Sequence, residues 1–201
     1  MLSENEIETD LEILKIGFNS CIRKIDKFEI LNEGLVPEGL KPHTRSIAWL
    51  AEQVIVQGVR RFIDETEFES VVPNDSDIGL HDCIVRIRGN ETLVNLKVTN
   101  IEKSHTRNDI NKAYKIQQAF IKNPDIRFYY VIIKLSFDNT IIKFVNEPPI
   151  VFYVPWIHDV YVNPSNHHLQ ASYFEPPTFR SVKQFVDEIE NELVSKNLPK
   201  K

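Results

Sequence analysis

Two cysteines, one methionine and six glycines in 201 residues exclude several classes of protein at once. Cys21 and Cys83 sit in apolar surroundings (SCIRKI, HDCIVRI) without CxxC or Cys/His spacing, so neither a zinc site nor a disulfide framework is expected, and a reducing, cytoplasmic compartment fits. The few Gly and 11 Pro are dispersed with no low-complexity tract, which excludes collagen-like, linker-like and wholly disordered chains. Long apolar runs are also missing. FYYVII (128–133) and PPIVFYVPWI (148–157) fall far short of the roughly 18 residues a membrane span needs, and the N-terminus MLSENEIETD is acidic where a signal peptide is basic. There is no Gly-rich phosphate loop and no Ser/His/Asp elbow to support ATP or acyl chemistry. Nor is there an excess of positive charge: 24 Lys plus Arg against 29 Asp plus Glu gives a net charge of −5, unlike an indiscriminate nucleic-acid binder.

What is present is a 42% hydrophobic, 26% charged chain, enough for one folded domain with a helical appendage. Charge is unevenly spread. Residues 1–40 carry nine acids and four bases, whereas 103–143 carry eight bases and three acids. A solvated helix face has this composition as readily as a nucleic-acid contact does.

Helical periodicity runs through 4–30, with apolar residues every three to four positions. NEGLVPEGLKPH interrupts it, and a second helix is predicted from about Thr44, a potential N-cap, to near Asp64. After the turn-rich VVPNDSDIGLH comes a hairpin signature, DCIVRIR, a Gly89-Asn90 turn and ETLVNLKVTN. A polar loop, IEKSHTRND, leads to a third helix predicted over Asp109–Lys122. RFYYVIIKLSF and TIIKFV read as strands, PPIVFYVPW as an edge strand, and a last helix begins near Thr178. The expected architecture is α+β (α/β/α), a mixed, largely antiparallel sheet flanked by helices.

With Gly89 and Asn90 as turn residues, paired positions sum to 179 and Asp82 falls opposite Lys97. Because side chains alternate faces with period two, Asp82, Asn95 and Lys97 project from one face. Carboxylate and carbonyl oxygens suit a hard cation such as magnesium, and a lysine ammonium beside them can hold a water or a phosphate oxygen, the needs of phosphodiester hydrolysis. An ordinary cross-strand ion pair uses the same residue types, so spacing alone leaves both readings open. Asp75 and Asp77, in PNDSD, are rival first acids, although Asp77 would lie opposite Glu102, beyond the strand.

Asp82, twelve intervening residues and then Asn95-Leu96-Lys97 on an apolar strand resemble the PD-(D/E)xK nuclease superfamily, in particular type II restriction endonucleases of the blunt-cutting branch typified by EcoRV and HincII. The resemblance covers about residues 44–196. It implies a magnesium-dependent endonuclease acting on double-stranded DNA as a homodimer, with residues 1–40 a helical segment for dimerisation or support and 41–201 the nuclease domain. Asp82, Asn95 and Glu52 would hold Mg2+ and Lys97 would act on the attacking water. The chain departs from the pattern twice: the usual second acid is Asn95, and His81 precedes Asp82 where proline is usual. Glu52, inside the apolar AWLAEQVIVQGV, resembles the helix glutamate of the superfamily, though the edge of a solvated face would also carry it. Candidate DNA contacts are Thr99, Asn100, Lys103, His105, Arg107 and Asn108 after the strand, all suited to phosphate oxygens. Asn163, Asn166, His167, His168 and Gln170 follow late in the chain, where amides can read adenine. The competing readings are a catalytically silent DNA-binding protein and a repair or junction nuclease.

Overall fold

A computed structural model describes residues 2–30, 44–74, 79–101, 107–138 and 140–198. Helix α1 (Glu4–Ile25) opens with a capping box in which the Ser3 hydroxyl accepts the N–H of Glu6 and the Glu6 carboxylate accepts that of Ser3. Its stripe Ile7, Leu14, Phe18 and Cys21 is buried at helical spacing. The periodic signal through Phe28 outruns the helix, because Lys27–Glu29 forms a short strand, β1, paired with a much later strand. Helix α2 (Thr44–Arg61) follows, with Ala51, Ile55 and Val59 buried. The predicted turn-rich segment starts instead as strand β2 (Ser70–Pro73), antiparallel to β3 (Cys83–Ile87).

Strands β3 and β4 (Asn90–Asn100) form the expected hairpin in a different register. Arg86 faces Glu91, so pairs sum to 177 and the turn residues are Arg88 and Gly89, both at positive φ (50° and 74°). Asn90 belongs to the strand. The Gly89 N–H donates to Glu69 Oε1 at 2.7 Å, so a side chain just before β2 helps fix the turn. The register sets Asp82 level with Asn95 and not, as expected, with Lys97, but the two-residue change in sum leaves every side chain on its expected face, whereas a one-residue change would have inverted the strand.

The segment predicted to open the third helix at Asp109 is a strand, β5 (Arg107–Lys112), and α3 covers Ala113–Lys122. Non-local pairing overrides local propensity here: β5 hydrogen-bonds to β10 (His168–Ser172), and the Ala113 N–H, at the helix start, donates to His167 O. Strand β6 (Phe128–Asp138) lies parallel to β4 and antiparallel to β7 (Ile141–Phe144) and β8 (Ile150–Tyr153), giving a seven-stranded sheet in the order β1-β7-β6-β4-β3-β2 with β8 beside β6. A three-stranded sheet joins β5, β10 and β9 (Tyr161–Val162). Helix α4 (Val182–Ser195) starts at an N-cap Ser181, a few residues after the predicted Thr178.

The run Phe128–Ile133 is continuously apolar because both faces of β6 are covered. Tyr129 donates its hydroxyl to Asp10 of α1, while Phe128 packs on Phe120 of α3, which also meets Phe185 of α4. Neighbouring residues of a strand point to opposite faces, so α1 and α3 lie on opposite sides of the sheet. The architecture is the expected mixed, mostly antiparallel α+β fold. No helix of the described residues is long and apolar enough to cross a membrane. Both cysteines are buried and unpaired.

Candidate active site

The site forms where the sheet forks. Pairing between β3 and β4 ends at Cys83–Val94, while β4 continues to Asn100 beside β6. Past the fork, β4 has backbone N–H groups that no strand of the described residues receives, and such donors need partners. Two carboxylates supply them. Asp82 Oδ2 accepts the N–H of Leu96 at 2.6 Å, and Glu52, on α2, accepts the N–H of Val98. Each carboxylate is thereby fixed to the strand edge two residues from the other.

Lys97 lies between them in sequence and in space. Its Nζ is 3.5 Å from Asp82 Oδ2 and 3.5 Å from Glu52 Oε1, and it donates to Leu96 O at 2.8 Å. Asn95, on the same face as Lys97, is 3% exposed; its Nδ2 donates to Leu80 O at 3.2 Å, and its buried Oδ1 has no hydrogen-bond partner among the described residues. Glu52, Asp82, Asn95 and Lys97, drawn from a helix, a loop and a strand, thus converge. Trp49, Glu52, Asn74, Gly79, His81 and Asp82 line an adjoining cavity of about 460 Å³.

Burial is the main influence on Glu52. It drives the carboxyl up to about 7, with Asp82 adding to the rise and Lys97 opposing it. The neighbouring imidazole of His81 is held below its ordinary value by burial, against the pull of Asp82. Two carboxylates and an amide oxygen are the hard donors that Mg2+ prefers, and the unpartnered Asn95 Oδ1 is an acceptor awaiting a positive group. The residues present therefore fit a magnesium ion. Among the described residues no group of three or more His, Cys, Asp or Glu could hold a metal, and the remaining oxygen beside the two carboxylates is the Asn95 amide.

No family model and no curated protein matches the sequence. The fold is similar to that of NlaIV restriction endonuclease, with a TM-score of 0.57 and 16% identity over 85% of this chain and 74% of that one. The chain has a restriction-endonuclease-like fold.

The candidate DNA contacts are placed unevenly. Lys103, His105 and the rival acids Asp75 and Asp77 lie outside the described residues. Thr99 and Asn100 are buried, Thr99 within 3.5 Å of the Tyr173 hydroxyl. Arg107 grips Asp159 with both terminal nitrogens and stacks over Tyr161, a pairing that a phosphate would have to displace. Asn108 has a buried Nδ2 without a partner among the described residues. Of the basic stretch, Arg107, Arg127, Lys134 and Lys143 each hold a carboxylate, so much of its charge is locally neutralised.

Asn163, Asn166 and His167 form the β9–β10 turn, and His168 and Gln170 stand on β10. Sequence reading missed Asp109, the partner that Asn166, His168 and Gln170 share. Its carboxylate accepts from Asn166 Nδ2 at 2.7 Å and from Gln170 Nε2 at 2.6 Å, and lies 3.4 Å from His168 Nδ1. A lone aspartate in a segment read as a helix start gave no sign of this; only the β5–β10 pairing brings it there.

Proposed function

We propose that this chain is a magnesium-dependent type II restriction endonuclease of the PD-(D/E)xK superfamily, of the EcoRV/HincII branch, hydrolysing phosphodiester bonds of double-stranded DNA as a homodimer on a short palindrome. The observation that carries the reading is the convergence of Glu52, Asp82 and Asn95 around Lys97 at the fork of the sheet. Likeness in fold to a protein named as a restriction endonuclease supports it.

Asp82, Glu52 and Asn95 would hold Mg2+, which when bound neutralises charge on the phosphate and acidifies a bound water. Lys97 brings a fixed positive charge to the same place. One of its protons is committed to Leu96 O, which aims the ammonium along the carboxylate edge, where it can orient the attacking water or a phosphate oxygen. Lys103, His105, Arg107 and Asn108, with Thr99 and Asn100 at the strand end, are assigned to the DNA backbone, and the β9–β10 turn and strand β10, which carry Asn163, Asn166, His167, His168 and Gln170, are assigned to the groove that exposes the base edges.

Incubating plasmid DNA with the protein and Mg2+ tests the reading. Discrete fragments that vanish on chelation support it, and sequencing their ends gives the site and the cut geometry. The amide at Asn95, where the family pattern has an acid, favours a second reading, a DNA-binding protein without catalysis. Specific binding without cleavage would establish it, and structure-dependent nicking would indicate a repair or junction nuclease.

A further inference from the structure

Asn166 and Gln170 both carry amides that could pair with adenine, and the structure separates them. In β10, the pairing Leu169–Asn111 is followed by Gln170–Asp109, so Ile110 is an extra residue in β5 and the ladder shifts by one. A regular ladder would set Ile110 beside Gln170. The bulge instead sends Ile110 into the core, at 3% exposure, and puts the Asp109 carboxylate beside the amide.

The two amides are used differently. Asn166 is committed at both ends: its Nδ2 donates to Asp109 at 2.7 Å, and its Oδ1 accepts the N–H of His168 at 3.0 Å, which braces the turn. Lys112 holds the Asn166 backbone carbonyl as well, at 2.6 Å. Gln170 gives one N–H to Asp109 at 2.6 Å. A primary amide has two such hydrogens and a carbonyl oxygen, and among the described residues the other N–H and the oxygen of Gln170 meet no partner, which leaves them for a ligand. One donor beside one acceptor is the complement of the N7 acceptor and N6 amino donor that adenine shows in the major groove.

We propose that Gln170 is the adenine-reading residue of this protein, that Asp109 is the positioning residue that holds its amide edge-on to the base, and that Asn166 braces the turn without reading sequence. This rests on the sequence-specific DNA-binding reading above and deepens it. It also names a substrate chemistry: an N6-methyl group on the adenine would remove a hydrogen the Gln170 oxygen requires or crowd it, whereas a methyl on cytosine C5 would not touch this contact.

The test is a binding selection. The full-length protein is mixed with a pool of duplexes of randomised core in Ca2+, and the bound fraction is sequenced. The wild type is expected to enrich a motif containing an A·T pair. Gln170→Ala and Asp109→Ala should lose preference at that same pair, by about tenfold or more, while keeping it elsewhere. Asp109→Asn, which retains one acceptor oxygen, should lie between, and serves if the alanine variant folds poorly. Asn166→Ala should keep the base preference. N6-methyladenine at the enriched pair should weaken wild-type binding and leave Gln170→Ala unaffected. A motif that survives unchanged in Gln170→Ala, or that is erased by Asn166→Ala alone, overturns the assignment and leaves the DNA-binding reading standing. A wild-type pool with no enriched motif removes the sequence-specific reading itself.

Discussion

The carboxylate of Asp82 accepts the backbone N–H of Leu96 at 2.6 Å, a bond that replaces the strand pairing β4 loses where β3 leaves it. The same residue therefore closes a gap in the sheet and faces Lys97. Asp82→Ala is expected to abolish cleavage and to cost about 1–3 kcal/mol of stability through the stranded N–H. Asp82→Asn, whose amide oxygen can still accept, should restore most of the stability and little of the activity. Thermal unfolding beside a cleavage assay separates the two effects, and equal stability of the two variants would deny the backbone bond its role.

Lys97→Ala removes the ammonium that Glu52 and Asp82 share. Specific DNA binding should remain, and single-turnover cleavage should fall by about a hundredfold or more, the scale of a lost electrostatic contact to a transition state. Cleavage near the wild-type rate would take Lys97 out of the mechanism.

Glu52 is a carboxylate the fold buries at a cost. Its folded value, about 7 against an ordinary 4.5, means the native state holds the proton more tightly than the unfolded chain does, so wild-type stability falls as pH rises across that interval. Gln does not titrate. In the presence of a chelator, Glu52→Gln should therefore be more stable than wild type at pH 8, by at most about 3 kcal/mol, with the gain shrinking toward zero below pH 4.5. Denaturant titrations at four pH values would show it, and a variant less stable than wild type at pH 8 would contradict the burial argument.

Asn95→Asp adds the acid that hard cations favour next to Asp82. Calorimetry with Mg2+ or Ca2+ in the presence of DNA should show tighter metal binding in the Asp variant. Weaker binding would mean that the Asn95 side chain does not meet the ion.

The Arg127 guanidinium bonds to Asp10 at 2.6 Å and to Glu6 at 2.8 Å, and Asp10 also takes the Tyr129 hydroxyl at 2.8 Å, tying α1 to the sheet away from the site. Asp10→Ala leaves the half-buried Arg127 without one of its two carboxylates and the buried Tyr129 hydroxyl without its acceptor, and should cost about 1–3 kcal/mol. The rate of DNA cleavage per folded molecule should stay within twofold of wild type. A large loss of rate at temperatures where the variant is folded would show that α1 supports the site directly.

Local sequence determined a good deal. The apolar periods of α1 and α2, the β4 and β6 runs and the Gly89 turn are written in side-chain order, because a helix or strand buries a face whose spacing its own residues set. The alternation along β4 also put Asn95 and Lys97 on one face of the hairpin with Asp82, and that survived a wrong turn because an even shift preserves faces. Tertiary structure decided the rest. Nothing local says that β3 parts from β4 after Val94, that Glu52 reaches across 45 positions to Lys97, or that Arg107–Lys112 is a strand and not the start of a helix. These follow from which distant segments compete for the same backbone donors. The bulge that sets Asp109 beside Gln170 is such an outcome: two strands some sixty residues apart must bury Ile110 and still satisfy their hydrogen bonds, and only their packed arrangement fixes which side chain is left facing the amide.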